Sequence, residues 1–351
     1  NNDFQFWYSS DNINWTRCGS YTATDIMGSV GLAVKDWDAT ASSATYDYLY
    51  IKHYAATEPT VTFADENSTS LTGWTKRIQY DVHNNTSSAL SNFQVKIVVP
   101  YDSDMQADFD DVRFTSSNGT TLIDYWLASK TDSSTATFWV EVPSIAASSS
   151  ANIHMYYGKA DASSASSGTN TFDFFDDFSG DLSKWTNVNG TWTTTSGTLN
   201  FSSSTGQAFL IANTASTFSD YIFESNVYSP TTMDSGIGHR FQSSSDANNF
   251  YGAFTSNAAN TSFFHKRTAG SWSAQLNVVS YSYSDNVWYY QKEKRSKLEI
   301  ISHEKVTVDG KIGVIKIVKL TITMMVGLSD KTWVTVEVHI FTTRQKLVQR
   351  M

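Results

Sequence analysis

Apolar and polar positions along this chain recur with a period of two rather than 3.6. Ile78, Tyr80 and Val82 form one alternating set. Phe138, Val140 and Val142 form a second, and Ile153, Met155 and Tyr157 a third. Successive side chains leave a strand on opposite faces, so this pattern predicts half-buried strands. Between such sets lie clusters of Ser, Thr, Asn, Asp and Gly. The run Ser116–Ser117–Asn118–Gly119–Thr120 contains the Asn-Gly pair that favours a hairpin turn. The predicted fold is all-β, built of antiparallel β-sandwiches. Residues 243–249 are the one place where a helical turn is expected.

Two low-complexity stretches mark expected boundaries. One runs from Ala64 to Leu71, after Glu58-Pro59; the other runs from Ala160 to Thr171 and is rich in Ser, Ala and Gly. They divide the chain into 1–63, 71–160 and 172–290, followed by a tail, 291–351.

Composition sharpens this picture. The chain has 351 residues, of which 49 are Ser and 41 Thr, while only 17% are charged. A long-helix or coiled-coil protein would be rich in Ala, Glu, Lys and Leu instead. One Cys excludes an internal disulfide scaffold. An aromatic content of 14% is far above that of a chain unable to bury a core. The charge is uneven. Residues 1–290 hold 13 Lys and Arg against 28 Asp and Glu, a balance of −15; residues 291–351 hold 12 against 6, or +6. The two sum to the net −9. The tail also has no Asn, no Tyr and only 3 Ser. The first residue is Asn and no leader is visible, so the chain is expected to be a piece of a larger protein. No membrane span is expected, because the most apolar stretch, 312–328, is interrupted by Lys316 and Lys319.

The middle segment carries the most specific motifs. It reads GWTKRIQYDVHN at 73–84, DDVRFTSSNGTTLIDYW at 110–126, ATFWVEVPSI at 136–145 and NIHMYYGK at 152–159. These blocks, in this order, resemble a domain-of-unknown-function family of large secreted bacterial and archaeal proteins. The flanks resemble jelly-roll modules of the laminin-G or concanavalin-like kind. FFDDFSGDLSKW at 174–185 resembles the opening of such a module. WYSSDNINWT at 7–16 and DYLYIKHYAATEPT at 47–60 resemble the closing half of another. The resemblance implies tandem β-sandwich modules around a small β-sandwich domain: the end of one jelly roll, a complete small domain, and the start of a second. It also implies that sequence after Trp288-Tyr289-Tyr290 should look like residues 1–60. The chain instead continues QKEKRSKLEIISHEKVTVDGKIGVIKIVKL. The tail is therefore expected to be out of frame or of different coding origin. The competing reading is an evolved sheet, since Val334, Val336 and Val338 alternate.

Candidate chemistry is sparse. Glycosidases need two carboxyls about 5–10 Å apart across a sugar, and the Glu-x-Asp-x-x-Glu spacing of concanavalin-like glucanases does not occur. Asp108, Asp110 and Asp111 precede Arg113 and are expected in a solvated turn with an Asp–Arg pair. Asp176 and Asp177 are the candidate metal ligands, for a structural Ca²⁺ of the kind jelly-roll modules often carry. Adjacent strand residues point to opposite faces, so at most one would bind, and capping of the turn is the stronger reading. Asp47 shares that ambiguity. The seven His are dispersed, and Cys18 has no His neighbour in sequence. No phosphate-binding glycine loop occurs, and the acidic balance argues against nucleic acid. Sugars stack on aromatic faces, and Tyr251 and Trp272 are expected to be exposed ligand-binding rings. The expected function is non-catalytic: an extracellular or cell-surface module for adhesion or carbohydrate binding. Its partners would be glycans or cell-surface polymers, and no cofactor is expected apart from the structural calcium weighed above. The alternatives are an accessory region of a secreted glycoside hydrolase and a structural surface-fibre protein.

Overall fold

The computed structural model describes residues 2–23, 29–35, 42–67, 71–203, 207–213, 220–229, 234–241, 245–256, 258–281, 283–284, 286–297, 302–308, 311–326 and 332–343. The chain opens with β1 (Asn2–Ser9), β2 (Thr16–Ala23), β3 (Ser29–Lys35) and β4 (Ser42–His53). There follow β5 (Thr60–Asn67), β6 (Lys76–His83), β7 (Leu90–Pro100), β8 (Arg113–Ser116), β9 (Leu122–Ile123), β10 (Tyr125–Thr131), β11 (Thr135–Ile145) and β12 (Ser150–Tyr157). A short helix, α1 (Gly168–Thr171), is the one helix among the described residues. It falls in the second low-complexity stretch; the described part of 243–249 carries a turn and a bridge but no helix. Then come β13 (Phe174–Asp176), β14 (Trp185–Asn189), β15 (Thr191–Thr195), β16 (Thr198–Ser203), β17 (Gln207–Ala212), β18 (Tyr221–Ser229) and β19 (Asp234–Phe241). The body ends with β20 (Phe250–Ser256), β21 (Thr261–Thr268), β22 (Ser271–Trp272), β23 (Leu276–Ser280) and β24 (Val287–Lys297).

The predicted alternating sets lie on β6, β11 and β12, and the fold is an antiparallel β-sandwich architecture. Asn118 accepts the backbone N–H groups of Thr120 and Thr121, and Gly119 has φ +73°, so the Asn-Gly turn joins β8 to β9 as predicted.

The arrangement of the flanks differs from two successive partial jelly rolls. Strands from both flanks share the same two sheets. One sheet runs β15-β16-β4-β18-β24-β1-β2, with β13 also on β4. The other runs β14-β17-β3-β19-β20-β21-β22, with β23 also on β21. The early strands β3 and β4 therefore sit in the middle of sheets built largely from the later flank. Leu32 pairs with Leu210 on one side and Ile237 on the other. A single buried cluster joins Phe4, Phe6, Leu32, Tyr46 and Leu49 to Leu210, Phe223 and Ile237.

The middle lobe is an insertion into this sandwich. It packs sheet β10-β11-β7 against sheet β5-β6-β12-β8-β9 around Phe93, Phe114, Phe138, Val140 and Met155. Strand β5 pairs with β6, so the lobe claims residues 60–67 and the first flank ends at His53, not at residue 63. The chain leaves at the end of β4 and returns as β13, where Phe174 pairs with Ile51. Entry and exit are thus adjacent, the condition under which a sheet tolerates an inserted domain.

The lobe rests on the outer face of β4. Tyr50, Trp139, Phe172 and Phe175 are buried together, with Tyr48 and Trp126 at their edge. Tyr50 stacks on Phe172 at 4.3 Å, and the Lys52 ammonium lies 4.3 Å from the Trp139 ring centre. Beside them the buried Glu224 carboxylate accepts the Tyr50 hydroxyl and pairs with Lys292 at 3.0 Å. Burial alone would raise its pKa; Lys292 and Lys52 outweigh this and hold it below the ordinary value.

Residues Lys297–Met351 form a separate compact unit. In it β25 (Ser302–Val308), β26 (Lys311–Val326) and β27 (Thr332–Thr343) pair consecutively and antiparallel. The compositional break at 291 does not coincide with the break in the fold. β24 continues through it, pairing with β18 from Val287 to Arg295, with Gln291 and Glu293 facing the core.

Candidate functional site

The stretch after β13 is shaped by its aspartates. Short carboxylate side chains can accept the backbone N–H two residues on, which stabilises tight turns. Asp176 bonds Phe178 N at 3.0 Å, Asp177 bonds Ser179 N at 3.1 Å, and Asp181 bonds Ser183 N at 3.0 Å. Phe178 adopts φ +54° within this run. Asp176 is 2% exposed, and its second oxygen accepts the Trp185 indole N–H at 2.6 Å. Lys184 donates to the Phe175 carbonyl at 3.0 Å and stands 3.8 Å from Asp176. Phe174 packs edge-on to Trp185 at 5.2 Å. The buried carboxylate therefore ties the turn to the next strand, β14.

This turn faces the inserted lobe across a cleft of about 390 Å³. Trp126 of β10 and Ser166–Thr169 of the returning linker form one wall; Asp176, Asp177, Asp181 and Lys184 lie on the other. Trp126 is wedged edge-on against Phe175 at 4.9 Å and Tyr48 at 5.3 Å. Asp177 and Asp181 are exposed. The Ser183 hydroxyl and backbone N–H hold the Asp181 carboxyl below its ordinary range. The site thus offers one indole, several hydroxyls and two exposed carboxyl groups.

Behind Asp177 lies Asp47, half-buried on β4. Between Tyr46 and Leu49 the pairing with β18 slips, so Asp47 and Tyr48 together oppose Asn226. Such a bulge re-aims side chains. Burial pushes the Asp47 carboxyl up, and Asp177 adds to the effect against the Asn226 amide. Asn226 donates to Asp47 at 3.5 Å, while its carbonyl oxygen is buried without a partner. Asp177, Asp47 and Asn226 supply three oxygen-bearing groups, fewer than the six to eight oxygens Ca²⁺ takes. Among the described residues no three His, Cys, Asp or Glu side chains gather in metal-binding geometry.

The other expected sites fall elsewhere. Tyr251 is 4% exposed, not a surface ring. It lies in the core beside Tyr21 at 5.4 Å and His239 at 5.8 Å. Trp272 is partly buried, packed edge-on to Phe250 at 5.5 Å and His265 at 5.1 Å. Every residue of β20 is buried, so both faces of that strand are covered. Asp111 is likewise not in a solvated turn: it is 0% exposed and accepts the N–H groups of Gly158 at 2.6 Å and Gln106 at 3.1 Å. Arg113 donates to the carbonyls of Asp110, Val112 and Ser163 instead of pairing with an aspartate. Trp126 was not singled out from the sequence, because only the fold of the linker onto β10 brings it to Asp177.

No helix among the described residues is long and apolar enough to cross a membrane. No curated protein and no solved structure matches the chain. One family does, over part of the chain. The match begins within the inserted lobe, includes three of the four quoted blocks and runs on through α1 and β13 to β15 of the sandwich. Residues 108–194, which contain both walls of the cleft, match the family described as Domain of unknown function (DUF2341).

Proposed function

We propose that this chain is a non-catalytic extracellular or cell-surface module that binds hydroxyl-rich polymers, glycans foremost, in the cleft between the inserted lobe and the sandwich. The observation that carries this reading is the cleft itself. Its volume lies in the range of small-ligand sites, and it combines an indole with exposed carboxylates and hydroxyls. A sugar presents an apolar CH face to the Trp126 ring and hydroxyls to Asp177 and Asp181. Charged acceptors make the stronger hydrogen bonds to such hydroxyls. A glycosidase needs one carboxyl kept protonated as a general acid. Asp181 is shifted the other way, and both oxygens of Asp176 are engaged by Phe178 and Trp185. The hydroxyl-rich, lightly charged composition suits a displayed surface module.

The test is retention on a glycan array. Asp177→Ala and Asp181→Ala remove exposed groups and are each expected to lower retention; Trp126→Ala is expected to abolish it. Unchanged retention of all three variants would overturn the reading. Calcium is a separate question. The Asp176 turn is completed by protein donors, so EDTA is expected to leave the thermal transition of the intact chain in place. A fall of several degrees, reversed by added Ca²⁺, would instead assign the ion to Asp177 and Asp47.

A further inference from the structure

The two chain crossings between sandwich and lobe carry a cluster of titratable groups that the cleft does not use. His53 is the last residue of β4 and Asp173 immediately precedes β13. Their side chains pair at 3.2 Å, so one ion pair bridges the outgoing and returning strands. The Gln94 side chain reinforces the same point from the lobe. It accepts His53 N at 3.0 Å and donates to the Thr171 carbonyl at 2.8 Å. Glu141 of β11 is the residue paired with Gln94, and its backbone N–H bonds the Asp124 carbonyl at 2.9 Å. Two carboxyls, Asp173 and Glu141, thus act on His53, and Asp124 acts in turn on Glu141. Lys52, beside His53 on β4, pairs with Glu58 at 3.5 Å, and Lys294 of β24 lies over the ring of Tyr54.

We propose that His53, Asp173, Glu141 and Asp124 form a pH-sensitive clasp that holds the inserted lobe to the sandwich in mildly acidic solution and relaxes as the pH rises past neutrality.

Both groups that titrate near neutrality act in the same sense. Burial, together with Asp124 and Asp173, pushes Glu141 up from 4.5 to about 7, against the opposing effect of His53. The hydrogen bond to Asp173 raises His53, against burial and with further help from Asp173 and Glu141. A raised pKa means that the closed form binds the proton more tightly than the open chain. The contribution of Glu141 is therefore complete below about pH 4.5 and is lost as the pH climbs to about 7. That of His53 is complete below 6.5 and is lost through its raised value. Above neutrality Glu141 ionises against two other carboxylates while His53 gives up the charge that held Asp173.

Hydrogen exchange of the intact chain reads this directly, as protection factors of amides 53–58 and 167–173 at pH 5.5 and pH 8. The expected result is a roughly tenfold loss of protection at the higher pH, one pKa unit of differential proton binding. Glu141→Gln removes the repulsion and is expected to leave only the shallower dependence of His53. Asp173→Asn removes the partner of His53 and is expected to give low protection at both pH values. Protection of amides 234–241 in the sandwich serves as the control for global folding. Equal protection of the wild-type crossings at both pH values would overturn the proposal. So would a Glu141→Gln or Asp173→Asn profile identical to wild type.

Discussion

Leu32→Ala is expected to destabilise the sandwich by about 2–5 kcal/mol, the range for removing a fully buried leucine. Leu32 is 0% exposed on β3, and its neighbours are Leu210 and Ile237 of the later flank. The effect should therefore appear far from the substitution in sequence. Amides of β17 and β19 are expected to lose hydrogen-exchange protection together with β3. Those of β6, β11 and β12, which surround the separate core of the lobe, are expected to keep theirs. Two independent partial jelly rolls would behave differently: damage at Leu32 would stay within residues 1–53. Unchanged protection at 207–212 and 234–241 would contradict the shared sheets.

His239→Ala is expected to be at least as severe, about 3–5 kcal/mol, because it opens a ring-sized cavity in the core and strips the buried Glu293 carboxyl of its polar neighbour. His239 and Glu293 are both 0% exposed and pair at 2.9 Å across the core. The imidazole stacks on Phe4 at 4.2 Å, with the Tyr251 ring nearly parallel at 5.8 Å. Replacing both residues by Leu is expected to be neutral or stabilising, since the two desolvation penalties vanish together. Denaturant titrations of the single and double variants check this. Equal losses in both would mean that packing around the ring, not the ion pair, sets the cost. The inner face of β24 reads Tyr289, Gln291, Glu293, and the Gln291 side-chain oxygen is buried with no hydrogen-bond partner. This is where the composition changes.

Strands and turns were legible because their signals are local. Alternation at 78–82, 138–142 and 153–157 needs only near neighbours, and Asn118-Gly119 needs only its own backbone. Alternation fails where both faces of a strand are covered. Seven consecutive buried residues on β20 have no polar side to mark, so Tyr251 could be taken for a surface ring. Of the cleft, the Asp176-Asp177 turn was legible, because an aspartate bonding two residues onward is a local event. Trp126 was not, since the opposite wall, beginning at Asp176, arrives from 50 residues later. Asp111 shows the same limit. An Asp-Asp-x-Arg run reads as a charged turn, yet the incoming Gly158 and Gln106 amides make it a buried anchor.

By itself, then, the sequence determined the class of fold, the positions of most strands, the presence of a distinct middle segment and the outlying character of the tail. Each follows from short-range pattern or composition. The tertiary structure alone decided which strands share a sheet. Strand pairing is a contest of hydrogen bonding and burial among all segments at once. Here β4 finds β13, β16 and β18 across an insertion of more than a hundred residues. Sequential neighbours usually pair, which is why the flanks read as two modules. The insertion separates in sequence what the core, closing around Leu32, Leu49 and Phe223, brings together in space.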